Sequence, residues 1–220
     1  MKNFIMAIDG PAGSGKSTIA KILAEKNNLT YLDTGAMYRM VALYFFENNV
    51  DLDNDLEVKL NLKQIQMDIE KDRFILNGRD VSKEIRTPRV SGLVSFVARI
   101  KVVREKLVEL QREISKGKNV VLDGRDIGTV VFPDASLKIF LVASPEERAK
   151  RRMKEYEEKG VEENFEAVLA NIKERDMIDS TRKESPLKKA EDAVEIDTSF
   201  MTIEEVTNEI SRLVKEKVGE

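Results

Sequence analysis

The chain has 220 residues, 41% hydrophobic and 35% charged, with a formal net charge of -3. That length suits one well-formed core, and no apolar run approaches the roughly twenty residues of a membrane span, so no membrane association is expected. Without cysteine, histidine or tryptophan, the chain has no disulfide, no thiolate or imidazole metal site and no Ser-His-Asp or imidazole acid–base catalysis, which leaves Lys, Arg, Asp and Mg²⁺.

The chain opens on a short apolar run, residues 4–9, with no secretory signal ahead of it, which points to the cytoplasm. Gly10-Pro11-Ala12-Gly13-Ser14-Gly15-Lys16-Ser17 follows, which is the G-x-x-x-x-G-K-[ST] phosphate-binding loop. An amphipathic stretch from Thr18 to Lys26 comes next, so the pattern has its strand–loop–helix setting. Glycines let successive backbone N–H groups turn inward around a di- or triphosphate, and the helix beginning near Gly15 aims its positive end at the same anion. Lys16 is expected on the terminal phosphates and Ser17 on Mg²⁺.

Leu29–Asp33 reads as a second strand, and residues 34–48 as a helix with Met37, Tyr38, Val41, Ala42 and Phe45 on one side. From about 64 to 85 the period becomes two, with Asn77-Gly78 as a tight-turn signal, predicting a small antiparallel insertion. Helices are expected at about 87–99 and 101–116, then strands at Asn119–Asp123, Leu137–Val142 and Ala193–Asp197. Between the last two, Ser144-Pro145-Glu146-Glu147 is a helix start. Arg148, Arg151 and Arg152 follow within a turn of one another, Gly160 breaks that helix, and a second runs from about 164 to 179. Short β-branched runs separated by helices indicate an α/β fold with a parallel sheet covered on both faces. Ligands in such folds sit beyond the carboxyl ends of the strands, where Asp9, Asp33 and Asp123 fall.

The strand ending at Asp123 could hold Mg²⁺ through its carboxylate. It runs directly into Asp123-Gly-Arg125-Asp126-Ile-Gly128, a charged, glycine-flanked segment. Arg39, Arg104, Arg125, Arg175 and Arg182 also occur in motif-like settings. Arginine pairs with phosphate through two N–H groups and keeps its proton, so this surplus suggests a second phosphate-bearing substrate beside the first. An acceptor phosphate is already anionic at neutral pH and needs no histidine base.

Taken together, residues 9–17, Asp33-Thr34-Gly-Ala-Met-Tyr38-Arg39, Ile85-Arg-Thr87, the run 123–134 and Lys173-Glu-Arg175-Asp-Met-Ile-Asp179-Ser-Thr-Arg182 resemble the bacterial cytidylate kinases, within the nucleoside-monophosphate kinases. The resemblance covers essentially the whole chain. It implies a P-loop NTPase fold of five parallel strands, a core of about 1–33, 101–144 and 183–220, a monophosphate-binding region of about 34–100, and a lid of about 145–182. The implied reaction is ATP with CMP or dCMP, giving ADP with CDP or dCDP, with Mg²⁺. By motif match, Gly10 to Thr18 would hold ATP. Arg39, Arg125 and Arg182 would hold the acceptor phosphate, with Thr34 and Tyr38 lining its site. Arg175 and lid arginines such as Arg152 would meet the transferred group, and Asp179 the ribose. Ser95, Arg104 and Asp126 would read the cytosine edge. A kinase of the same fold acting on UMP or AMP, or a nucleotide-binding switch, is the alternative. Small nucleotides are the expected partners, without nucleic acid. A monomer is expected because no spare apolar helix face stands out.

Overall fold

The computed structural model describes residues 3–70, 73–158 and 160–219. They fall into two compact units, one of Met1–Asp33 with Arg112–Glu220 and one of Thr34–Gln111.

The first unit is built on a five-stranded parallel sheet of β1 (Ile5–Asp9), β2 (Thr30–Asp33), β6 (Val120–Gly124), β7 (Leu137–Val142) and β8 (Val194–Asp197), in the order β2-β6-β1-β7-β8. All five strand regions expected from the apolar runs are present. β1 lies at the centre, and Met6, Ala7 and Ile8 are fully buried, as a strand covered on both faces requires. Two helices, α1 (Lys16–Lys26) and α8 (Ile203–Val218), contribute Ile19, Leu23, Val206, Ile210 and Val214 to a core with Met6, Ile8, Val121, Ile139 and Leu141. The start of α8 is fixed by a capping box in which Thr202 Oγ1 accepts from the Glu205 backbone N–H and the Glu205 carboxylate accepts from Thr202 N–H. Two further helices, α6 (Pro145–Glu158) and α7 (Phe165–Thr181), pack on each other around Ala149, Val168 and Ile172. Ser144 Oγ accepts from Glu147 N–H at 3.2 Å and Asn164 caps α7, so both helix starts follow from their capping residues.

The second unit holds α2 (Thr34–Glu47), α3 (Asp55–Lys63), α4 (Pro88–Ala98) and most of α5, which runs over Lys101–Ser115. Its antiparallel sheet has three strands, β3 (Met67–Glu70), β4 (Arg73–Leu76) and β5 (Arg79–Asp80). Asn77 and Gly78 both have positive φ, 48° and 79°, the conformation a type I′ hairpin turn demands. α2 and α4 pack together, and Met37, Met40 and Val41 on one and Val90, Val94 and Val97 on the other are buried.

Candidate active site

The loop after β1 owes its path to Gly10. A Cβ there would lie 2.1 Å from the Leu141 carbonyl oxygen of β7, so any side chain would force the two strands apart. Gly15, at φ 89°, forms the left-handed residue ahead of α1, which turns its backbone toward an anion site at the helix start. Lys16 is buried, and its ammonium lies back over the loop, donating to Pro11 O at 2.6 Å and Ser14 Oγ at 3.3 Å. Burial, and then the like charge of Arg125, hold Lys16 well below its ordinary pKa, against the pull of Asp123, Asp9 and Asp179.

Ser17 Oγ donates to one oxygen of Asp123 at 2.7 Å, and Tyr31 Oη donates to the other at 2.9 Å. Burial, followed by the Asp33 charge, pushes the Asp123 carboxyl up. The hydroxyl and the carboxylate are both hard oxygen donors and stand within bonding reach of each other, so the pair fits Mg²⁺. Among the described residues no group of three or more carboxylates could hold a metal by itself. One or two protein oxygens completed by substrate phosphates is the usual arrangement for this ion.

Beyond β6 the chain carries a cluster of charges. Arg125 Nε donates to Asp179 Oδ2 at 2.9 Å, and Arg182 lies 3.8 Å from Asp179 Oδ1 and 3.7 Å from Asp126 Oδ1. Arg175, buried on the same helix as Asp179, adds its field. Burial alone would raise the Asp179 carboxyl, but Arg125, Arg182 and Arg175 together hold it below the usual carboxylate range. Three guanidinium groups thus surround the Asp179 carboxylate, the side-chain type that pairs with phosphate through two N–H groups.

The segment carrying Arg125 and Asp126 is held from beneath by Asp9. Its two oxygens accept from the backbone N–H groups of Ile127 and Gly128 at 2.8 and 2.7 Å. Residues Ile127–Val131 then form one π-helical turn. Burial, only partly offset by those two N–H groups, pushes the Asp9 carboxyl up to about 7.

In the second unit, Arg104 lies with its guanidinium 5.3 Å from the centre of the Tyr38 ring and donates to Ala98 O at 2.9 Å. Thr34 and Ser95 are buried on α2 and α4, and Arg39 is half-buried beside Tyr38. In the first unit Arg152 is not brought to the arginine cluster. It pairs with Glu155 at 3.7 Å and lies over the Tyr156 ring. Its neighbours Arg148 and Arg151 face the phosphate loop instead. Arg148 donates to Ala12 O, and Arg151 lies 3.8 Å from the position of a Gly15 Cβ. Thr18 is exposed.

Sequence reasoning did not assign Tyr31 or Arg148 to the site, and treated Asp9 only as a polar strand end. Tyr31 carried a usable signal, since it lies two residues before Asp33 and so shares that residue's face of β2.

A glycine loop between the central strand of a parallel sheet and a helix with one buried face defines a P-loop NTPase fold. Solved structures of similar architecture include an uncharacterized protein from Eubacterium ventriosum, at TM-score 0.53 and 18% identity over 98% of this chain and 99% of that one. Shikimate kinase from Bacteroides thetaiotaomicron gives TM-score 0.50 at 13% identity, over 96% and 98%. These share the fold. The sequence profile of the cytidylate kinase family matches residues 6–216. Cytidylate kinase from Fusobacterium nucleatum subsp. nucleatum is 60% identical over 98% of this chain and 99% of its own, and that from Thermosipho melanesiensis 55% identical over 96% and 97%. The chain belongs to the cytidylate kinase family.

Proposed function

We propose that the protein transfers the γ-phosphoryl group of ATP to CMP or dCMP, releasing ADP and CDP or dCDP. A phosphate oxygen of the acceptor forms the new bond to the γ-phosphorus as the bond to the β,γ-bridging oxygen breaks, and the bridging electron pair leaves on ADP. The acceptor arrives as an anion, so the protein moves no proton to start the reaction. Its task is to hold two like-charged groups together, and positioning with charge neutralisation carries the rate.

The observation that carries this reading is the Arg125–Arg175–Arg182 cluster around Asp179, on the same unit as the loop lysine. Residues Gly10 to Thr18 would hold the ATP phosphates, with Lys16 on the terminal ones. Ser17 and Asp123 would hold Mg²⁺, which when bound neutralises charge on the β- and γ-phosphate oxygens. Arg125 and Arg182 would take the acceptor phosphate, Arg175 the transferred group and Asp179 the ribose, with Arg152 as a further lid cation. From the second unit, Arg39 is assigned to the acceptor phosphate and Thr34, Tyr38, Ser95 and Arg104 to the nucleoside. Cytosine offers an N4 donor beside N3 and O2 acceptors, which a carboxylate such as Asp126 with an arginine and a hydroxyl complements. Residues 34–100 would be the monophosphate region and 145–182 the lid. We further place the protein in the cytoplasm as a monomer acting on small nucleotides. Among the described residues no helix is long and apolar enough to cross a membrane.

Separate calorimetric titrations of Arg125→Ala test the division of labour. CMP affinity should fall at least tenfold while ADP affinity stays within threefold. Equal loss of both would overturn it.

A further inference from the structure

Arg148 is the one lid arginine on α6 that is almost wholly buried, at 3% exposure. Its guanidinium is divided among three parts of the chain. Nε donates to Ala143 O at the end of β7 at 2.9 Å, and Nη1 donates to Ala12 O in the phosphate loop at 3.1 Å. The fork of Nη1 and Nη2 then closes on both oxygens of Asp176 in α7, at 2.9 and 2.5 Å. The loop also lies directly against this residue, since a Cβ at Gly13 would come within 3.2 Å of Arg148 Cβ.

Asp176 immediately follows Arg175, on the helix that also carries Asp179. A slide or rotation of α7 that broke the fork would therefore carry Arg175 with it. Bidentate arginine–carboxylate pairs fix geometry as well as charge, because both N–H groups are satisfied in only one relative orientation. Arg148 Nε also holds the carbonyl of Ala143, the residue after β7, and Ser144 caps the helix that carries Arg148, so the far side of the strut is tied to the end of the sheet.

We propose that Arg148 and Asp176 are positioning residues, a strut that sets Arg175 in register with the nucleotide held by the phosphate loop. The proposal rests on the assignment of Arg175 to the transferred phosphoryl group. The Arg148 guanidinium and the Asp176 carboxylate are engaged with each other and with backbone carbonyls, so both act through Arg175. Releasing the α7 end alone, by Asp176→Asn, leaves Arg148 on Ala12 O and Ala143 O. The loop therefore keeps its shape while Arg175 loses its placement.

The test compares Asp176→Asn, Arg175→Ala and the double variant, each first checked for folding by its thermal transition. The strut predicts that Asp176→Asn lowers kcat at least tenfold, with ADP affinity by titration and KM for CMP each within threefold. It also predicts that the double variant is no slower than Arg175→Ala alone, because the aspartate acts through the arginine. An unchanged kcat in Asp176→Asn, or losses that multiply in the double variant, would overturn the strut while leaving the function intact. A near-parental kcat in Arg175→Ala would instead remove the role of Arg175, and the strut with it. If Asp176→Asn does not fold, Asp176→Glu keeps the charge but moves the carboxylate by one methylene, and it is read by the same criteria.

Discussion

Asp9 gives the structure a pH dependence whose size and sign can be worked out. The carboxyl is buried at the end of β1 and sits at about 7 rather than 3.8. Between those two values the folded chain holds a proton that the unfolded chain has released. Stability therefore falls as pH rises through this window and levels off above the folded pKa. At about 1.36 kcal/mol per unit, the part of that loss lying between pH 5 and pH 8 is about 2–3 kcal/mol. Asp9→Asn removes the ionisation but presents an amide to two N–H donors that now find one acceptor. The buried donor left without a partner adds a penalty of about 1–3 kcal/mol that does not vary with pH. The stability of Asp9→Asn relative to the parent should thus rise by about 2–3 kcal/mol from pH 5 to pH 8, measured by urea unfolding with a shared slope. Taking the difference removes groups common to both proteins. A difference that does not change with pH would refute the reasoning and mean that the two backbone N–H groups keep Asp9 ionised throughout.

Three further outcomes follow from the same site. Lys16→Ala should abolish turnover, by about 10³-fold or more for loss of a phosphate-neutralising cation, while the thermal transition survives; near-normal turnover in a steady-state assay removes the lysine from the reaction. Asp126→Asn should narrow the preference for CMP over UMP, read as the ratio of kcat/KM values, and an unchanged ratio removes it from base reading. Asp179→Ala removes the carboxylate that Arg125, Arg175 and Arg182 share, leaving Asp126 beside Arg182, and should cost about 3–5 kcal/mol at pH 7. Because Asp179 lies below the ordinary carboxylate range, its contribution is present above about pH 4 and disappears as acid protonates it. A urea-unfolding penalty that stays constant into acid would contradict that pairing.

Most of the fold was legible because its signals are local. Five apolar runs of strand length, a glycine loop, Ser144 as a cap and Asn77-Gly78 as a turn each act within a few residues. Helix α3 was not legible, and the reason is specific. Leu56, Val58, Leu60 and Leu62 alternate with polar residues, which mimics a strand, yet only Val58 and Leu62 are buried while Leu56 and Leu60 are exposed. The countersignal was Asn54, which accepts from Glu57 N–H as a helix cap. Within the site, the residue types that bear charge could be picked out, but not their pairing. Arg125 meets Asp179 across 54 positions, Arg148 meets Asp176 across 28 and Ser17 meets Asp123 across 106. Such partners are set by which strand ends and helices the topology brings together. No periodicity records them, which is why Arg148 stood out only as one of three lid arginines, beside Arg151 and Arg152.

A steady-state assay of ADP release with Mg·ATP and each of CMP, dCMP, UMP, AMP and GMP, with the phosphorylated product separated by chromatography, tests the transfer reaction itself. CMP or dCMP should give the highest kcat/KM, with one diphosphate formed for each ADP released. Transfer to none of the five monophosphates, or ATP hydrolysis without a diphosphate product, would contradict it.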